Sequence, residues 1–124
     1  MERWEHECAI ENSWATIGAI ERDRDDLWSL EREIACGKDD FLCQLGYRRE
    51  RIGRIAHAAE CGLARRASVR MDEAHGRGFE DSVVQDLDDA IRCILWRIQE
   101  LGERIAAEKH CIAENEAILA NWED

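Results

Sequence analysis

Proline is missing from this 124-residue chain, although average usage would place about six. Proline removes a backbone donor and clashes with the preceding turn, so its absence suits a chain that is mostly uninterrupted helix. Long apolar runs are missing as well: nothing approaches the roughly 20 residues of a membrane span. The opening MERWEHECAI is too charged for a secretory leader. A cytosolic chain is therefore expected, with its six cysteines reduced and behaving mostly as small buried apolar residues.

Patterns that carry catalysis are equally scarce. The sequence has no CxxC pair, no HExxH and no E-x-x-H; its nearest approach is Asp72-Glu73-Ala74-His75. A helical di-iron centre needs two E-x-x-H motifs in one core, so that chemistry is not expected. The four serines, Ser13, Ser29, Ser68 and Ser82, sit in no nucleophile elbow. Gly76-Arg77-Gly78 is too short to cradle a phosphate. No enzyme and no cofactor are expected.

Positive charge is the remaining shortage. With 28 acidic and 17 basic residues the chain carries −11, which opposes direct binding to nucleic acid or an anionic membrane. The balance varies along the sequence. Residues 1–40 hold 12 acids and 5 bases, residues 41–78 hold 4 and 8, and residues 79–124 hold 12 and 4.

What is present is helical periodicity. Val84, Leu87, Ile91, Ile94, Ile98, Leu101, Ile105, Ile112, Leu119 and Trp122 recur at alternating three- and four-residue steps, interrupted only by Glu108 and Asn115. That is a heptad stripe. A less regular one holds Ile10, Ile17, Ile20, Leu27 and Ile34, with Trp14 and Trp28 beside it and expected in the core. The weakest stripe is Leu42, Leu45, Ile52, Ala56, Ala59 and Leu63, accompanied by Gly46, Gly53 and Gly62. Several mid-helix glycines together, each costing about 1 kcal/mol, imply close approach of a neighbouring helix.

Two sites read as turns. Gly37-Lys38-Asp39-Asp40 offers a helix-ending glycine and a capping aspartate. Gly76-Arg77-Gly78 precedes Ser82-Val83-Val84-Gln85, which has the form of a capping box. The expected architecture is all-α: one domain over residues 1–124, an antiparallel bundle or coiled coil of three long helices at about 2–36, 40–75 and 79–122. By architecture alone its outline resembles that of a spectrin repeat. A basic middle helix between two acidic ones suits it. The third helix then overshoots the first turn by about 12 Å, and Ile118, Leu119 and Trp122 in that tail need cover.

Candidate functional residues follow from those placements. Trp96, beside Leu95, lies opposite the stripe of the third helix, and Trp4 lies off the stripe of the first. Exposed tryptophans on rigid helices are common binding hot spots. They and the tail residues are the expected partner surface. Acidic clusters at Glu21, Asp23, Asp25, Asp26 and at Asp86, Asp88, Asp89 could imitate a phosphate backbone. Cys36, Cys43 and Cys111 near one end, and His57, Cys61 and Cys93 at a second level, are the weak candidates for a metal or a disulfide. The run Tyr47-Arg48-Arg49-Glu50-Arg51-Ile52-Gly53-Arg54, joined by Arg65, Arg66 and Arg70, is expected to pair with the acidic helices.

The functional expectation is a non-enzymatic helical protein-binding module, self-associating through the third helix as a homo-oligomer or joined to another protein. One alternative is a small acidic inhibitor, of the kind phages direct against host defence, that occupies the basic groove of a nucleic-acid enzyme. Another is a Cys/His metal or redox sensor.

Overall fold

A computed structural model describes residues 2–58, 66–67, 69–70 and 77–123. Among them the chain is all-helical and contains no strand. Two long helices account for nearly all of it: α1, Arg3–Ala58, and α2, Arg77–Ala120. None of the described helices is long and apolar enough to cross a membrane.

The first expected turn is not a turn. Residues 37–40 continue α1, so the expected segments 2–36 and 40–58 form one helix. Gly37 keeps a negative φ, as every described glycine does, and so offers none of the left-handed geometry that ends a helix. The inward stripe explains why. His6, Ile10, Ser13, Ile17, Ile20, Arg24, Leu27, Glu31, Ile34, Lys38, Phe41 and Leu45 are all buried or half-buried. Their three- and four-residue steps keep phase straight through residues 37–40, whereas a turn would reset that phase. Beyond α1, the expected middle helix falls largely on residues outside those described, including Ala59, Cys61, Gly62, Leu63 and Arg65. Gly76 of the second turn lies outside them too, and α2 starts at Arg77, ahead of the expected capping box.

The described chain divides into two compact units, residues 1–31 with 93–124 and residues 32–92. In the first unit, the amino end of α1 lies beside the carboxyl end of α2, joined by His6 and Asn115. Its core is the cluster Ile17, Ile20, Leu101, Ile105 and Ile112, with Ile10 and Leu27 packed against it. These are stripe residues of both helices. Burying one such side chain contributes about 1.5–3 kcal/mol, so this cluster dominates the unit.

The second unit is held differently. Leu45 is its one buried apolar side chain among the described residues, and the pairing is largely polar. Lys38 Nζ donates to Asp88 Oδ1 at 2.6 Å, and Arg49 pairs with the buried Glu80. Stepping forward on α1 steps backward on α2, so the helices here run antiparallel. The basic run thus does supply a cross-helix partner through Arg49, while Arg54 pairs within its own helix with Glu50.

Helix-to-helix crowding is not the reason for the glycines. A Cβ added at Gly18, Gly37, Gly46, Gly53, Gly78 or Gly102 would meet nothing within 4 Å. Gly62 lies outside the described residues.

Candidate interaction surface

A two-helix seam has one inner face per helix, and bulky residues off it stay in water. Trp96 is 66 % exposed, Trp4 61 %, Trp14 52 % and Trp28 40 %. Trp14 and Trp28, expected in the core, are therefore on the surface. Each sits one residue past the inward stripe, at positions that a third helix would have covered. Leu30, Leu95 and Ile118 in the same unit are also exposed.

The carboxyl-terminal tail of α2 finds cover of a kind the sequence did not suggest. Trp122 meets the His6 ring edge-on at 5.7 Å between centroids. Nδ1–H of His6, itself 7 % exposed, donates to Oδ1 of Asn115 at 2.8 Å. The Asn115 amide donates in turn to the Cys111 carbonyl at 2.8 Å. Asn115 looked like a flaw in the stripe; it is the polar partner of a buried histidine on the facing helix. A polar pair inside an apolar seam fixes register, because sliding either helix leaves both groups unsatisfied. Asn115→Leu should accordingly cost about 1–3 kcal/mol by orphaning His6, and His6→Leu/Asn115→Leu should recover most of that loss. Denaturant midpoints of the three proteins check it; an additive double variant would show that the pair is not coupled.

No known protein family, curated protein or solved structure matches this chain. The surface must be read from its own chemistry.

The acidic clusters separate on that reading. Glu21, Asp23, Asp25 and Asp26 are exposed along α1. Of the second cluster, Asp88 is held by Lys38, and Asp89 takes hydrogen bonds from Arg92 at 3.0 Å and Gln85 at 2.8 Å. Among the described residues only Asp86 of that trio has no partner, so the first cluster is the better-presented one.

The cysteines are corrected most. Cys8, Cys36, Cys43 and Cys93 are exposed and Cys111 is half-buried, so burial as apolar residues does not describe them. Cys36 and Cys43 lie seven residues apart on one unbroken helix. That spacing puts their Cα atoms about 10 Å apart, beyond the reach of a disulfide. Among the described residues no three His, Cys, Asp or Glu side chains converge on a metal-sized site. The His57 side chain and Cys61 lie outside the described residues.

Proposed function

We propose that this chain is a non-enzymatic helical module that binds another protein through aromatic residues standing outside its two-helix seam. The observation that supports it is Trp96: two-thirds exposed on a rigid helix, on the opposite side from Ile94 and Ile98, beside exposed Leu95. Tryptophan loses little entropy on docking and buries a large area, which is why it concentrates at binding hot spots. Trp4 is placed similarly on α1. Ile118 is the exposed member of the α2 tail; Leu119 is half-buried, and Trp122 packs on His6.

Tagged capture from a lysate, with wild type and with Trp4→Ala/Trp96→Ala, tests this reading. A partner retained by wild type and lost by the variant is the expected result. Equal recovery by both would place the interface elsewhere.

A second reading, an acidic inhibitor of a nucleic-acid enzyme, draws support from the exposed Glu21, Asp23, Asp25 and Asp26. It requires capture of a basic enzyme that is lost at high salt and on neutralising those four carboxylates.

A further inference from the structure

Trp14, Trp28 and Leu95 have one local relation to the core. Each directly follows a residue of the inward stripe: Ser13, Leu27 and Ile94. Antiparallel helices are interchanged by a two-fold rotation about an axis normal to the plane of the pair. That rotation leaves each flank facing the way it did, so these positions line the same flank on both helices. The His6–Asn115 bond sets the register of this unit, and at 1.5 Å per residue it brings residue 28 about level with residue 93. Along the pair, Trp28 is therefore within about one turn of the level of Leu95. Trp14 is about 21 Å away along α1.

The spacing between the tryptophans matters. Glu21 is exposed midway, seven residues from each, so the row on α1 reads apolar, acidic, apolar. Lys109 follows the stripe near the Trp14 end, leaving the middle of the flank as its acidic point. Around it, the unit of residues 1–31 and 93–124 holds sixteen acids and six bases, a net −10 of the chain's −11. A second copy would set that charge against itself. The same holds for an acidic partner, while the exposed Trp14 and Trp28 rings offer apolar area on either side of that acidic point.

We infer that this flank docks a basic amphipathic helix from another protein. Its apolar stripe lies on Trp14, Trp28 and Leu95, with a lysine or arginine opposite Glu21. The inference rests on the binding-module reading and adds the chemistry of the partner. Apolar anchors supply affinity, and the surrounding carboxylates exclude acidic helices and steer basic ones.

The test uses the full chain and fluorescence anisotropy of a labelled Leu/Lys amphipathic peptide of about 18 residues, or five turns. Controls are a Leu/Glu peptide with the same apolar stripe and a shuffled Leu/Lys peptide without one. Trp14→Ala/Trp28→Ala removes exposed rings only, and circular dichroism verifies that its helicity is retained. The Leu/Lys peptide should bind wild type, weaken about tenfold or more with the double variant, and weaken about threefold with Glu21→Gln. Equal binding to wild type and the double variant, equal binding of the shuffled peptide, or no binding at all would overturn the inference. Preference for the Leu/Glu peptide, or a dimer in sedimentation that the double variant abolishes, would overturn the partner's chemistry alone. Those two results would leave the flank an interface, which separates this failure from failure of the binding-module reading.

Discussion

Leu101→Ala should remove about 2–5 kcal/mol of stability, the largest loss expected from a truncation among the described residues. Leu101 is 2 % exposed and sits with Ile17, Ile20, Ile105 and Ile112 in the only buried apolar cluster of its unit among the described residues. Deleting its isobutyl group loses the transfer free energy and leaves a cavity that the surrounding structure relaxes into only partly. Small domains are stable by about 5–15 kcal/mol in total, so one core truncation consumes a large share. Chemical denaturation followed by circular dichroism measures it. A cost below about 1 kcal/mol would mean that the seam is not the chief source of stability.

Asp39→Pro is the second large effect, and it decides between one helix and two. In the continuous α1, residue 39 is exposed and interior. Proline there removes a backbone hydrogen bond and drives its ring into the preceding turn, at a cost of about 3 kcal/mol or more. Had the chain turned at Gly37, proline two residues later would have been well tolerated. Gly37→Ala has the opposite sign: a helical glycine with open space around it should gain about 1 kcal/mol on becoming alanine. At a left-handed turn glycine the same change would destabilise. The two thermal midpoints should therefore move in opposite directions.

Helical content and the α2 stripe were legible in the sequence, because Val84 to Trp122 repeats its apolar pattern almost without a break. The α1 stripe was harder to read. His6, Ser13, Arg24, Glu31 and Lys38 take inward positions, and polar letters there look like the end of a pattern. Gly37-Lys38-Asp39-Asp40 also carries the local chemistry of a stop. The unchanged phase from Leu27 through Ile34, Phe41 and Leu45 was the signal that outweighed it. Local turn preference amounts to about a kilocalorie, and several inward residues on either side outweigh that together.

The surface was partly legible for the same reason. Trp96 lies opposite a clear stripe, and Trp4 lies well off a weaker one, so their exposure followed from spacing. Trp14 and Trp28 did not, because a position next to the stripe is covered in a three-helix bundle and open in a two-helix pair. Nor could spacing reveal the His6–Asn115 bond. That pairing depends on which helix faces which, and at what register.

Collisional quenching of single-tryptophan variants tests the central claim most directly, namely that two helices share one seam and leave the aromatic residues outside it. Each variant keeps one tryptophan and carries phenylalanine at the other four positions; acrylamide is the quencher. Trp14 and Trp28 should quench readily, close to Trp96 and clearly more than Trp122 against His6. Protection of Trp14 and Trp28 to the level of Trp122 would contradict the account, since something else in the chain would then have to cover them.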